Sequence, residues 1–273
     1  MLPSVELSAL ASQMQAAQDN VRQIEPFTSQ FSDFDLASAY AVADLIHRTR
    51  VQRGAMPIGR KIGFTNSDMW ALYGVQEPIW AYVYDTTVVH LSDGLKTCSL
   101  GKFTEPKIEP EIIFHFHSAP PLGGNFASIL GCIDWIAHGF EIVQSHFPGW
   151  KFRAADTVAD WALHGTLLVG EPRPIARLGP NLIAALERFS LRLSCNGALR
   201  EVGNGANVLG SPLLAIAHLI SVLAKQPKYM PLQANELVTT GTITTAQTVL
   251  AGESWRTEVE GIALPGLSMA FTQ

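Results

Sequence analysis

The chain has 273 residues, of which 47% are hydrophobic and 16% are charged, and its formal net charge is −5. This length can bury a sizeable core, and the apolar content excludes an intrinsically disordered chain. The negative charge, without any basic cluster, argues against nucleic acid as a partner. The composition is typical of a compact, enzyme-like protein.

The cysteines and the first residues bear on the cellular compartment. Cys98, Cys132 and Cys195 are an odd number without metal-finger spacing, which favours a reduced, cytoplasmic setting. The first residues lack a basic stretch before an apolar core, which argues against a signal peptide. We see no apolar run that approaches about 20 residues, so no membrane span is predicted.

The spacing of apolar residues predicts two helices in the N-terminal region. The first covers residues 4–25 and stops before Pro26. The second begins after Asp35, which is predicted to cap it, and ends before Gly54. The polar faces of these helices hold no convergent chemistry, so we expect a packing or oligomerisation element.

From Pro57 onward, short apolar or β-branched runs separated by turn residues predict strands. In the first of these runs Lys61 stands between Gly59 and Gly63, and such glycines let backbone and ligand approach closely. A lone lysine is usually a solvated surface charge. The run therefore leaves ligand contact and solvated surface about equally open.

Two acids lie in the strand-like run over residues 108–116. Glu109 and Glu111 stand two residues apart, so both side chains point to the same face of a strand. Two close carboxylates repel unless a positive group lies between them, and oxygen ligands favour Mg²⁺, Mn²⁺ or Ca²⁺ over zinc. From these residues alone, a wet edge with water as partner is equally consistent. Glu141, in another apolar strand, needs a partner as well and offers a third ligand.

The remaining pattern completes one mixed α/β architecture. Residues 148–170 concentrate charged and hydroxyl groups, which fits a site-lining loop or a solvated surface loop. The other predicted elements are a short helix over 67–73, an aromatic strand over 79–84, a loop over 117–125, a hairpin over 191–202 with an Asn196-Gly197 type I′ turn, a helix from Ser211 to Ala224, and C-terminal strands over 236–271 with a hydroxyl-rich turn at 239–244. We expect a helical region, residues 1–56, packed on a main domain, residues 57–273.

As a set, these residues make the sequence resemble the fumarylacetoacetate hydrolase superfamily, and within it the branch of 2-keto-4-pentenoate hydratases and 4-oxalocrotonate decarboxylases. The motifs that carry the resemblance are Gly-Arg-Lys61-Ile-Gly-Phe-Thr, Glu109-Pro-Glu111, Phe-Glu141-Ile-Val-Gln-Ser145, Ala-Asp156-Thr-Val-Ala-Asp160, the Asn196-Gly197 hairpin with the Leu-Gly-Ser-Pro helix start, and Thr240-Gly241-Thr242. They follow one consistent order over residues 30–271. Each motif alone is weak.

The resemblance implies a twisted β-roll with flanking helices, a divalent metal (Mg²⁺ or Mn²⁺) and no organic cofactor. It also implies a small 2-oxo acid substrate and a homodimer or larger homo-oligomer, with association to an enzyme of the same pathway. The charge, the apolar runs and the cysteines, described above, predict no nucleic acid or membrane partner and a cytoplasmic setting. The residues that it assigns are metal ligands at Glu109, Glu111 and Glu141, catalytic groups at Lys61 and Asp85, and substrate-binding groups at Asp156 and Thr242.

One departure concerns the segment over residues 159–165. Hydratases of this branch typically read Ala-Asp-Asn-Ala-Ser-Ser-Gly, whereas this chain has Ala159-Asp160-Trp161-Ala162-Leu163-His164-Gly165. His164 is therefore a candidate acid/base or carboxylate-binding group, and an ordinary packed histidine is the alternative.

A metal held by carboxylates could accept a 2-oxo acid through its carboxylate and keto oxygens and stabilise an enolate. Hydration is the first expected outcome and decarboxylation the second. Cleavage of an acylpyruvate is less favoured. The resemblance implies that the cleavage enzymes of the superfamily activate water with a His/Glu pair on a lid, and no matching pair lies between Lys61 and Glu109, where His90 is the only histidine and stands in a different context. The alternative is a non-catalytic partner subunit of such an enzyme. It stays open because Trp161 and Leu163 replace polar residues of the hydratase motif.

Overall fold

The computed structural model describes residues 2–66, 70, 77–91, 97–226 and 228–273. The helices in this part of the chain are α1 (Ser4–Asp19), α2 (Phe27–Gln30), α3 (Leu36–Gln52), α4 (Phe126–Leu130), α5 (Ala154–Ala159), α6 (Leu182–Arg188) and α7 (Pro212–Ala224). The helix predicted over 67–73 lies outside the described residues, apart from residue 70.

The strands form two curled sheets. They are β1 (Pro57–Gly63), β2 (Ile79–Tyr84), β3 (Val88–His90), β4 (Thr97–Ser99), β5 (Lys107–Phe116), β6 (Ile133–Val143), β7 (His164–Val169), β8 (Arg173–Pro174), β9 (Ser190–Cys195), β10 (Ala198–Asn204), β11 (Leu237–Thr242), β12 (Gln247–Thr248), β13 (Ser254–Glu260) and β14 (Ser268–Thr272). The mixed α/β class predicted from the sequence is confirmed.

The larger sheet brings distant parts of the chain side by side. Its nine strands run in the order β2-β1-β11-β5-β6-β7-β3, with β12 paired to β5 and β8 paired to β6. Strands β5 and β6 are long antiparallel neighbours, and β1 and β11 pair in parallel. The three strands β1, β5 and β6, predicted to carry the candidate site, therefore lie within one sheet.

The smaller sheet has the order β10-β9-β13-β14-β4. Its first hairpin turns at Asn196 and Gly197, both with positive φ (51° and 79°), as the predicted type I′ turn requires. Residues 239–242, expected as a turn between strands, instead belong to strand β11. That expectation was wrong because Thr239 and Thr240 are buried within the sheet, where β-branched side chains pack well.

The N-terminal helices pack on the main sheet region through an apolar cluster. The cap of α3 is confirmed, since the Asp35 carboxylate accepts a hydrogen bond from Ser38 N at 2.7 Å. Helix α1 ends at Asp19, before the predicted end at residue 25. The chain leaves the helix there because Val21 adopts a positive φ of 49°, which breaks the helical hydrogen-bond pattern.

Helix α7 is more apolar than the other two long helices, α1 and α3. Ser211 caps it through a hydrogen bond from Leu213 N, as predicted. The stretch Gly205–Ala224, which contains α7, is long and apolar enough to cross a membrane by length and composition alone, contrary to the expectation that no apolar run approaches about 20 residues. Half of that stretch is buried, and α7 itself has only 13 residues, fewer than the roughly 20 that a span needs. Its apolar character is accounted for by packing in the main core.

Candidate active site

Three buried or partly buried carboxylates meet on one face of the larger sheet. Glu109 and Glu111 project from the same face of β5, and the β5–β6 register places Glu109 directly opposite Glu141. One ligand oxygen from each of the three glutamates lies within 4.8 Å of the others. The strand register thus assembles residues that are about thirty positions apart in the sequence.

Glu111 has one oxygen held by the protein and one left over. Its Oε2 accepts hydrogen bonds from the Thr239 hydroxyl and, at 2.8 Å, from Gly241 N. Gly241 has a φ of +93°, and a Cβ there would collide with the Thr65 side chain, so this position needs glycine. Glu111 Oε1 is buried without a hydrogen-bond partner among the described residues.

Glu141 repeats this arrangement. Its Oε1 lies 3.0 Å from Lys61 Nζ and 2.6 Å from His164 Nδ1. Its Oε2 is buried and has no partner in the part of the chain that the structure describes. A buried polar atom without a partner costs free energy, so both orphaned glutamate oxygens call for an unseen positive partner.

The electrostatics of the three carboxylates indicate a deficit of positive charge. Burial and then repulsion from Glu141 raise the pKa of Glu109 to about 7, and the same causes raise that of Glu111 well above its usual value. Burial opposes ionisation of Glu141 too, but Lys61 and His164 outweigh it and lower its pKa to about 2. A divalent cation would relieve this repulsion, so the donor set and its free oxygens fit Mg²⁺ or Mn²⁺.

Lys61 is buried beside the carboxylates, with 3% of its side chain exposed. Burial alone would lower the pKa of its ammonium, but Glu141, Glu109 and Glu111 together outweigh burial and raise that pKa. The solvated-surface alternative for Lys61 is therefore wrong. The side chain instead contributes to the lining of a cavity.

A cavity lined by Lys61 and by Glu109 of the carboxylate cluster has a volume of about 250 Å³, and Glu111 and Glu141 are not among its described lining residues. Its polar lining includes Lys61, Lys107, Glu109, Thr157, Thr242 and Thr244. Its apolar lining includes Ile79, Val143, Trp150, Phe152, Ala162 and Leu163. A small acid with a polar head and a short carbon tail matches this division.

The residues over 161–164, where the sequence departs from the hydratase motif, lie in different surroundings. Trp161 turns toward the N-terminal helices, where its indole N–H donates to Tyr82 O at 2.7 Å and the Arg50 guanidinium stacks on its ring at 3.3 Å. Ala162 and Leu163 line the cavity. His164 bridges Glu141 and the Thr87 hydroxyl, with its Nε2 at 2.9 Å from Thr87 Oγ1.

Not all of the residues assigned from the resemblance come together. Thr242 lies opposite Glu111 in the strand register and lines the cavity. The Asp85 carboxylate instead accepts from Met56 N at 2.9 Å, at the start of β1. Asp156 accepts from Thr28 N, the Thr28 hydroxyl and Arg153 N, which together fix the start of α5. Neither Asp85 nor Asp156 is part of the cavity lining.

Lys107 and Trp150 are among the cavity residues that were not selected from the sequence. Lys107 precedes Glu109 by two positions and so shares its face of β5, which strand alternation could have indicated. Trp150 is the last residue of the short turn over residues 148–150 and adopts a positive φ of 58°. No sequence pattern predicts that conformation for a tryptophan.

Comparison with known proteins identifies relatives that match nearly the whole chain, although no family model matches it. A 4-oxalocrotonate decarboxylase from Pseudomonas sp. (strain CF600) is 30% identical over 261 residues, which is 94% of each chain. The chain belongs to the family of 4-oxalocrotonate decarboxylases and 2-keto-4-pentenoate hydratases. A 2-keto-4-pentenoate hydratase from Paraburkholderia xenovorans is 29% identical over 266 residues, covering 96% of this chain and 94% of the relative. The protein is therefore an enzyme of the lyase class.

A solved structure supports the same family and fold. The 4-oxalocrotonate decarboxylase from Pseudomonas putida G7, complexed with magnesium and adipate, is 27% identical and covers 99% of each chain with a TM-score of 0.88. More distant proteins, described as hydrolases or putative hydrolases related to fumarylacetoacetate or fumarylpyruvate, are 14–16% identical with TM-scores of 0.55–0.58. These distant likenesses show the fold alone, which is the predicted fumarylacetoacetate hydrolase-like architecture.

Proposed function

We propose that this lyase acts on a small 2-oxo or 2-hydroxydienoic acid with a divalent metal ion, and that hydration of a substrate such as 2-hydroxypenta-2,4-dienoate is its first candidate reaction. The observation that carries the proposal is the pair of orphaned oxygens, Glu111 Oε1 and Glu141 Oε2, in a carboxylate cluster whose third member, Glu109, lines a cavity of suitable size. Relatives named as hydratases support it.

Glu109, Glu111 and Glu141 would hold the metal ion, which is Mg²⁺ or Mn²⁺ in this proposal. The carboxylates are hard oxygen ligands, and a relative of known structure contains magnesium. When bound, the ion supplies Lewis-acid polarisation of the keto group of a 2-oxo acid. The rest of the chemistry depends on groups of the chain.

Lys61 is the group of the chain best placed to move a proton. Its Nζ is anchored 3.0 Å from Glu141 Oε1 and faces the cavity, so it can donate a proton to, or stabilise, negative charge on a bound acid. Thr242 adds a buried hydroxyl without a hydrogen-bond partner among the described residues, which can orient the head group. Ile79, Phe152 and Leu163 exclude water from the carbon tail.

Decarboxylation of 4-oxalocrotonate is the second candidate reaction. Among the described residues, no histidine or aspartate lines the cavity, so Lys61 has no evident companion for activating a water molecule. Loss of CO₂ needs no activated water, which favours this alternative. The same lining gives no support to the hydrolytic alternative, which uses a His/Glu pair.

The proposal is tested by steady-state assays with 2-hydroxypenta-2,4-dienoate and with 4-oxalocrotonate, each with and without Mg²⁺. Turnover of either compound that is lost on chelation and restored by Mg²⁺ supports the proposal. If Mg²⁺ binds but neither compound turns over, the proposal fails for these substrates and a non-catalytic subunit becomes the better interpretation.

The assembly remains a prediction from the family resemblance. We propose a homodimer or larger homo-oligomer in the cytoplasm, with association to an enzyme of the same pathway. Light scattering coupled to size-exclusion chromatography measures the oligomer size directly. A monomeric mass would contradict the first part of this proposal.

A further inference from the structure

The turn over residues 161–163 holds three consecutive residues in an unusual backbone conformation. Trp161, Ala162 and Leu163 have φ values of 56°, 48° and 64°, in the left-handed region that residues other than glycine rarely adopt. Each such residue is disfavoured on its own, so a run of three persists only where its surroundings hold it. Ala162 and Leu163 line the cavity, so whatever holds this turn also fixes part of the cavity wall.

Backbone contacts of the main domain hold the two ends of the 161–163 turn. Leu163 N donates to Asp160 O at 2.8 Å, and Gln144 N donates to Leu163 O at 2.9 Å. The Asp160 carboxylate accepts from His146 N at 3.0 Å. These contacts tie the residues on either side of the turn to the end of strand β6.

The N-terminal helices supply a further contact from the outer side of the turn. Arg50, in the last turn of α3, has its guanidinium 3.3 Å from the centroid of the Trp161 ring. The Arg50 Nη2 donates to Gln18 Oε1 at 2.7 Å, and Gln18 Nε2 donates to Asp160 Oδ1 at 3.1 Å. Gln18 of α1 therefore joins Arg50 to the residue that precedes the turn. The polar side chains of α1 and α3 thus converge on one structure, which the sequence did not predict.

We propose that Arg50, joined to Asp160 through Gln18, is a positioning residue for the 161–163 turn, and that the N-terminal helices thereby complete the wall of the substrate cavity. The inference deepens the proposed function, on which it rests for the identity of the ligand. Without Arg50, the turn would adopt the conformation described above for only a fraction of the time. The apparent affinity for a ligand of the cavity falls by that fraction.

Hydrogen exchange followed by mass spectrometry tests whether Arg50 holds the turn. The Leu163 amide is protected by its hydrogen bond to Asp160 O, and in Arg50→Met it should exchange about tenfold faster, as expected for the loss of one well-packed cation–π contact. The amides of β7 over residues 166–169 are the internal reference and should keep their wild-type rates. A variant that is merely less stable would expose the amides of β7 as well.

Calorimetry on the Mg²⁺-loaded protein tests the consequence for ligand binding. The probe is 2-oxopentanoate, a stable 2-oxo acid with a short carbon tail, and its affinity should fall about tenfold in Arg50→Met. Adding Ala162→Gly to that variant should recover a large part of the loss, because glycine adopts a positive φ without steric cost. A double-mutant cycle isolates this rescue, and a general loss of stability would not produce it.

Arg48→Met is the matched control, because Arg48 lies two residues earlier on α3 but is 63% exposed and pairs with Asp44 at 2.9 Å. It should keep the wild-type exchange rate and affinity. Unchanged exchange in Arg50→Met, or the absence of rescue by Ala162→Gly, would overturn the positioning role and leave the proposed function intact. Failure of 2-oxopentanoate to bind wild-type protein that binds Mg²⁺ would instead contradict the proposed function, and the exchange rates would still decide whether Arg50 holds the turn.

Discussion

The molecule contains two groups of buried acids that differ in how their oxygens are satisfied. Asp156 and Asp160, in and after α5, are fully buried, yet every carboxylate oxygen accepts at least one hydrogen bond. Glu111 and Glu141 are equally buried, but each keeps one oxygen without a described partner.

This difference separates a structural role from a binding role. The donors to Asp156 come from Thr28 and Arg153, so that carboxylate joins the N-terminal region to the start of α5. The orphaned oxygens of the glutamates instead belong to a cluster of three carboxylates, in which the ion pair with Lys61 leaves both of them without a described partner. Burial of an acid is therefore a poor indicator of a site, whereas incomplete satisfaction of its oxygens is a good one.

The largest effect is expected from Glu109→Gln. The substitution removes one negative charge from the three proposed ligands, so Mg²⁺ binding and turnover should be lost together. It should not lower the free energy of unfolding of the metal-free protein, since it relieves repulsion among the carboxylates. Calorimetry with Mg²⁺ and urea denaturation measure the two quantities, and unchanged Mg²⁺ affinity would remove Glu109 from the ligand set.

Lys61→Met should separate metal binding from chemistry. Turnover should fall about 100-fold or more, because the proposed proton-transfer group is gone. Mg²⁺ affinity should be retained, since Glu141 keeps its charge and loses a competing cation.

Lys225→Met is a matched control, because Lys225 also pairs with a glutamate, Glu77, at 3.0 Å, but on the surface. Its kcat should stay at the wild-type value. If Lys61→Met also keeps the wild-type kcat, Lys61 is only a structural ion-pair partner.

Asp156→Asn should show the opposite pattern to Glu109→Gln. An amide N–H₂ group cannot accept the hydrogen bonds that one carboxylate oxygen receives, so the free energy of unfolding should fall by about 2–3 kcal/mol. Mg²⁺ affinity should stay at the wild-type value. A folded variant with wild-type stability but weakened 2-oxo acid binding would restore Asp156 to the substrate-binding role that the resemblance implies.

The sequence predicted features that depend on local geometry. Strand alternation placed Glu109 and Glu111 on one face, and the cap at Asp35 and the turn at Asn196-Gly197 are formed by neighbouring residues. Such features need only a few adjacent residues, so their patterns are readable without the fold.

Features that depend on distant contacts could not be derived from local patterns, although the resemblance named Glu141 as a ligand. Glu141 meets Glu109 only because ten consecutive residues of β5 set its register with β6. Trp161, Ala162 and Leu163 all adopt positive φ values (48–64°), which is rare for residues other than glycine. That turn is held in part by the contact between Trp161 and Arg50 on α3, and no local pattern reports such a contact.

The smallest effect concerns His164, the residue that replaces a serine of related hydratases. Because both of its ring nitrogens face Glu141 and Thr87 and it does not line the cavity, we propose that it positions Glu141. His164→Ala should then weaken Mg²⁺ binding about tenfold, the usual cost of losing a partner that orients a metal ligand. His164→Asn should restore most of the affinity, since its amide nitrogen can stand where Nδ1 does. Calorimetry measures the Mg²⁺ affinities of the wild-type protein and of both variants. Equal affinities would show that His164 is simply a packed histidine. The contrast between the satisfied aspartates and the unsatisfied Glu141 would then rest on the ion pair of Glu141 with Lys61 alone.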